Sequence, residues 1–188
     1  MVYLRMLSNR RFMGLTLSGV LPMAGMFAYI AGSPFVFMEL LQVAPAHYGL
    51  FFGGNAVGIM AVSQLNAWLS TRQPPERVLL FGLLSMAGAG IALVLFAHGG
   101  SFLGVVVPLF VYVASIGMVM PVASALAMAS QGRTAGSASA LIGTLQFTGG
   151  ALAGGVVGAL HDGTAMPMAV VIAVAGTAGL LSRLILVR

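Results

Sequence analysis

The sequence predicts an all-α integral membrane protein, a bundle of six transmembrane helices. Three observations predict it. The 188 residues are 60% hydrophobic and 6% charged, with a mean hydropathy of +1.06, whereas an ordinary soluble domain carries about 25% charged residues. The few charges bound uncharged gaps whose lengths match membrane spans. The arginines recur at every second junction between those spans.

The gaps place the helices in order. Arg11 and Glu39 enclose 27 uncharged residues, Glu39 and Arg72 enclose 32, Arg77 and Arg133 enclose 55, Arg133 and Asp162 enclose 28, and Asp162 and Arg183 enclose 20. A spanning helix needs about 20 mostly apolar residues, so these gaps hold one, one, two, one and one helices. His98-Gly99-Gly100-Ser101 is the polar, glycine-rich break that divides the double gap. The spans are expected at 12–38, 46–70, 77–97, 102–129, 134–160 and 165–186. Proline falls at the junctions: Pro45 precedes the second span, Pro74 and Pro75 sit in the second loop, and Pro167 opens the last. The first span is too long, and too rich in glycine and proline in its continuation, for a cleaved signal peptide; it is expected to be retained.

Six spans put both termini on one side. Arg5, Arg10, Arg11, Arg72, Arg77, Arg133, Arg183 and Arg188 all fall at the N-terminus, the second loop, the fourth loop or the C-terminus. That distribution makes this face cytoplasmic. The opposite loops hold Glu39, Asp162 and the histidines His47, His98 and His161. The basic balance therefore reflects orientation in a lipid bilayer. A nucleic-acid partner is not expected, because the arginines are dispersed and lack interleaved aromatic rings for base stacking. With no cysteine, disulfides and thiolate chemistry are excluded.

The first span contains its own puzzle, Gly32-Ser33-Pro34 within "FAYIAGSPFVFMEL". In water an interior proline costs about 3 kcal/mol; in lipid such breaks are tolerated where the freed carbonyl finds a partner. Here the freed carbonyl is that of Ile30, and Ser33 can offer its hydroxyl one turn back. Phe27, Tyr29, Phe35 and Phe37 surround the break. They suit either packing at the outer interface or a bent, cavity-facing gate helix.

Small and polar residues mark the remaining contacts. Gly150, Gly154 and Gly158 recur every four residues in the fifth span, as do Gly54 and Gly58 in the second, a spacing that lets backbones pack closely. "FFGGNAVG" at 51–58 and "FTGGALAG" at 147–154 share F-x-G-G-x-x-x-G, consistent with two related three-helix units in an inverted 3+3 repeat. Asn55 and Gln146 lie near the bilayer centre, with Tyr112 and Ser115 at comparable depth. An amide there needs a neighbouring helix, water or a ligand, so Asn55 and Gln146 fit cavity lining and interhelix bonding equally, while Tyr112 and Ser115 fit packing better. No span has an Asp, Glu, Lys, Arg or His near its centre, and Glu39 and Asp162 read as hydrated rim charges. The histidines lack a metal-ligand spacing. No S-x-x-K or G-x-S-x-G pattern occurs, so neither a metal, a cofactor nor an enzymatic activity is expected.

"YLRMLSNRRFMG", "GMFAYIAGSPFVFMEL", "VAPAHYGLFFGGNAVGIM", "GRTAGSASALIGTLQF" and "LHDGTAMPMA" together resemble the C-terminal half of bacterial multidrug efflux proteins of the Bcr/CflA type, in the drug:proton antiporter branch of the major facilitator superfamily. The resemblance implies that the six spans are helices seven to twelve of a twelve-helix inner-membrane carrier. Residues 1–11 would be the remnant of the linker between halves and 12–188 the six-helix bundle. It also implies multidrug efflux and antibiotic resistance. In that reading the first, second, fourth and fifth spans wall a substrate cavity, with Phe27, Tyr29, Ser33, Phe35, Asn55, Tyr112, Gln146 and Phe147 contacting a hydrophobic drug. The family's cytoplasmic-loop, helix-four and helix-five signatures belong to the half that is not in this sequence. "NAWLSTRQPPER" sits where a degenerate loop motif is expected, with Asn66 in place of the usual acid. Transport by this chain alone is therefore not expected; the missing half or a second copy would have to complete it. The competing reading is a non-transporting truncated or split membrane module.

Overall fold

The computed structural model describes residues 2–187 apart from His98 and Gly100, with the backbone alone of Arg133. The break expected at His98-Gly99-Gly100-Ser101 thus lies partly outside the described residues, as does Arg188. Seven α-helices and no strand occur among the described residues: α1 Val2–Leu7, α2 Arg10–Pro34, α3 Pro45–Ser70, α4 Pro75–Ala97, α5 Phe102–Met128, α6 Ala135–Ala159 and α7 Met166–Leu186. Local chemistry sets their starts. Asn9 caps α2 by accepting a hydrogen bond from the Phe12 amide at 3.0 Å, and Ser101 caps α5 through the Gly104 amide at 3.3 Å. Proline opens α3, α4 and α7, where its missing N–H costs nothing.

Five helical segments, Arg10–Leu40, Pro75–Ala97, Phe102–Met128, Ala135–Ala159 and Met166–Leu186, are long and apolar enough to cross a membrane. The expected second span differs. At 26 residues α3 has the length, about 39 Å at 1.5 Å per residue, but it is less apolar because Asn55, Ser63, Gln64 and Asn66 all lie within it. Gaps between charges do not register uncharged amides. Beyond Pro34, α2 continues as a π-helical turn, Phe35–Leu40, which ends where Gln42 adopts a left-handed backbone (φ 53°) and its Nε2 donates to the Glu39 carbonyl at 2.6 Å.

The helices pack in a paired order. α2 lies against α5, α6 and α7, while α5 lies against α2, α3 and α4, and α4 meets α7. Exchanging α2, α3 and α4 for α5, α6 and α7 leaves this set of neighbours unchanged, and three spans per unit invert the second relative to the first. That is the 3+3 inverted repeat. Within each unit, α3 barely touches α4 and α6 barely touches α7. The α2 and α5 backbones approach closely at Gly19, beside the Ala123 Cβ. At the end bearing the arginines, Gly14 of α2 abuts Leu186 and Val187, and Met6 of α1 is buried.

Candidate functional site

The C-terminal end of α2 is tied to α3 by two side-chain hydrogen bonds. Tyr29 and Ser33 are four residues apart and share a face of α2; Tyr48 and Asn55 are seven apart and share a face of α3. Asn55 Nδ2 donates to the Tyr29 hydroxyl at 2.8 Å, and the Ser33 and Tyr48 hydroxyls lie 2.8 Å apart. Tyr29, Ser33 and Asn55 are all buried. Ser33 therefore does not turn back to a carbonyl of its own helix, as the sequence suggested. Its partner is Tyr48, which sequence reasoning missed although the spacing to Asn55 placed both on one face.

Aromatic rings close around this ladder. Phe52 stacks on Tyr29 with centroids 6.1 Å apart, and Phe37 meets Phe51 at 5.2 Å and Tyr48 at 6.0 Å. Phe51 in turn reaches Phe102 of α5 at 5.7 Å. Such offset and edge contacts add about 0.5–1.5 kcal/mol each beyond burial. The π-helical turn after Pro34 carries Phe37 into this cluster.

A second group forms where α2 meets α6. Phe27 sits in a notch at Gly150, edge-on to Phe147 at 6.1 Å. Phe147 is 69% exposed, and Gln146 beside it is half-buried. Phe35 packs edge-on against His161 at 4.4 Å. The structure thus divides the expected wall into an α2–α3 set, Tyr29, Ser33 and Asn55, and an α2–α6 set, Phe27, Phe35, Gln146 and Phe147.

Tyr112 belongs to neither. It is fully buried beneath Gly25 and Gly176, and its hydroxyl donates to the Pro22 carbonyl at 3.0 Å. Ser115 lies on the α4 side of α5, 3.1 Å from Ser85 Oγ. Depth in a span was legible, but α5 is apolar all round, so its sequence carries no mark of which face meets which neighbour. Asn66 Oδ1 accepts from Ser70 at 3.3 Å.

Outside the spans, Asp162 accepts from both the Thr164 amide at 2.9 Å and the Thr164 hydroxyl at 2.7 Å. These bonds hold its exposed carboxyl below the usual aspartate range. With the folded value depressed, the turn is favoured above the ordinary carboxylate pKa and loses that support as pH falls through the lowered value. Thr164→Ala is expected to return the Asp162 titration, followed by carboxyl carbon NMR, toward the ordinary range; an unchanged titration would refute this account.

Compared with known proteins, residues 2–154 match the family model described as Major Facilitator Superfamily. The chain is 32% identical over 178 residues to the uncharacterized MFS-type transporter YdgK of Bacillus subtilis (strain 168), covering 94% of this chain and 44% of that protein. It is 28% identical over 175 residues to a bicyclomycin resistance protein homolog of Haemophilus influenzae (strain ATCC 51907 / DSM 11121 / KW20 / Rd), covering 88% of this chain and 42% of that one. The chain spans less than half the length of these curated relatives.

Proposed function

This chain belongs to the Major Facilitator Superfamily, and from that premise we propose that it is one half of a drug:proton antiporter for hydrophobic drugs in a bacterial inner membrane, with both termini cytoplasmic. It is a multi-pass membrane protein and a partial chain relative to its relatives. The resistance role printed for the Haemophilus relative supports the efflux reading.

One observation carries the proposal: α3 and α6, which exchange places in the repeat, are both poorly covered and less apolar than α4, α5 and α7. α4, α5 and α7 reach mean hydropathies of 2.4, 2.3 and 2.1, whereas α6 reaches 1.4 and α3 does not qualify as a span by apolarity. Only Asn55, Gly58 and Asn66 of α3 are buried. Gly49 and Gly53 on α3, and Gly136, Gly143, Gly155 and Gly158 on α6, have nothing within 4 Å of where a Cβ would stand. Bare helical backbone of this kind suits the close approach of other helices better than contact with lipid tails. A second six-helix half lying across α3 and α6 would cover both and enclose Phe27, Phe35, Gln146 and Phe147 as one wall of a cavity. Those side chains provide area and one amide, which suits variable apolar substrates. Tyr29, Ser33 and Asn55 brace that wall from within.

Two measurements test this. Reconstituted alone, the chain is expected to show no proton-linked drug movement in proteoliposomes, and activity is expected to appear when it is coexpressed with the N-terminal half of the Bacillus relative. Drug movement by the lone chain would overturn the half-transporter reading. In the paired form, Gln146→Ala and Phe147→Ala should change resistance severalfold for some drugs at unchanged protein level; unchanged resistance to every drug tested would remove both from the wall. Because the chain has no cysteine, single cysteines at Gln73 and Gly163 report orientation: an impermeant maleimide applied outside should label only the second.

A further inference from the structure

We infer that the recess between the outer ends of α3 and α5 is a separate binding site for a small, uncharged, apolar molecule carrying one hydrogen-bond donor. The recess has a volume of about 230 Å³, with Phe37, Phe51, Leu109 and Asn55 inside and Leu50, Val107 and Phe110, 71%, 53% and 42% exposed, around its mouth. Phe37 of the π-helical turn and Asn55 close its inner end, and its mouth lies on the side of α3 away from Tyr29. Phe52 faces α2, stacked on Tyr29, while Leu50 and Gly54, two residues to either side of it, fall about 160° away around the helix at 3.6 residues per turn. The mouth is apolar, so a ligand enters from the hydrocarbon phase.

Asn55 is the polar side chain in this lining, and it is 7% exposed. Its Nδ2 is committed to the Tyr29 hydroxyl, but no described residue donates a hydrogen bond to its Oδ1. An amide oxygen in apolar surroundings is costly until a donor reaches it. Water suits the site badly: the volume corresponds to roughly eight waters of bulk liquid, and each would need two to four polar partners. Among the described residues no ionisable side chain lines the recess, which disfavours a charged ligand. A compact alcohol or phenol satisfies the amide with its hydroxyl and fills the remainder with carbon. The site is independent of whether the chain transports.

The test uses the chain in phosphatidylcholine nanodiscs, photolabelled with a diazirine derivative of 1-octanol, with adducts mapped by mass spectrometry. Saturable labelling is expected in the segments 50–55 and 106–110, competed by 1-octanol and not by octane. Asn55→Leu should lower it about fivefold, the scale of one hydrogen bond's net contribution. Gly54→Leu fills the recess while keeping the Asn55–Tyr29 bond; there is open space where its Cβ would stand, so its loss of labelling carries the proposal even if Asn55→Leu does not fold. Labelling spread evenly over the exposed apolar faces, equal competition by octane, or wild-type labelling in Gly54→Leu would overturn it.

Discussion

Gly117→Ala is expected to destabilise the bundle by about 3 kcal/mol or more, at the upper end for overpacking a tight interface. The added methyl would meet the Ile59 carbonyl, stand 2.6 Å from Ser63 Oγ and 3.0 Å from the Ser63 amide nitrogen. Two of those three atoms are backbone and cannot rotate away. The Ser63 hydroxyl also donates to the Gly117 carbonyl at 3.2 Å, so separating α3 from α5 would break that bond as well. Gly155→Ala is the control, because nothing lies within 4 Å of its added carbon, and its effect should stay within about 0.5 kcal/mol. Unfolding of both variants in denaturing detergent checks the contrast; similar unfolding curves would mean that the α3–α5 seam is not held this closely.

The second large effect is expected at the ladder between α2 and α3. Asn55→Leu removes the donor to Tyr29 and leaves that buried hydroxyl with one partner fewer, a cost of about 1–2 kcal/mol. The loss should appear locally, as amide exchange about tenfold faster over residues 35–40, because the end of α2 that carries the π-helical turn loses one of its two polar ties to α3. Tyr29→Phe should cost a similar amount, and the double variant little more than either single one. If the two losses simply added, the side chains would not be acting as a pair.

How much of this was legible in the sequence depends on the kind of residue. The helix ends were, because prolines, capping side chains and sparse charges mark them: the expected 46–70 and 102–129 became Pro45–Ser70 and Phe102–Met128. The pairing of the helices was hinted at by the repeated F-x-G-G-x-x-x-G on α3 and α6. Rotation about each helix axis was not legible. In a soluble helix an apolar stripe marks the buried face, but in α5 every face is apolar, so Tyr112 read as better suited to packing with nothing to say against which helix. The π-helical turn was also hidden, since Pro34 announces a break without saying how the chain continues. Asn55 and Gln146 looked equivalent at the sequence level, yet one is locked to Tyr29 and the other sits half-buried on the α6 side.

The exchange of neighbours between the two three-helix units has a consequence for biosynthesis. Every principal neighbour of α2 follows α4 in the chain, and the last of them within this bundle is α7. Until α7 is in place, α2, α3 and α4 wait in the bilayer with few contacts among themselves, their glycines and amides facing lipid or the insertion machinery. Assembly of this unit is therefore a late, concerted event that waits for α7, and a chain stopped before α7 would leave inserted helices with no stable arrangement to adopt.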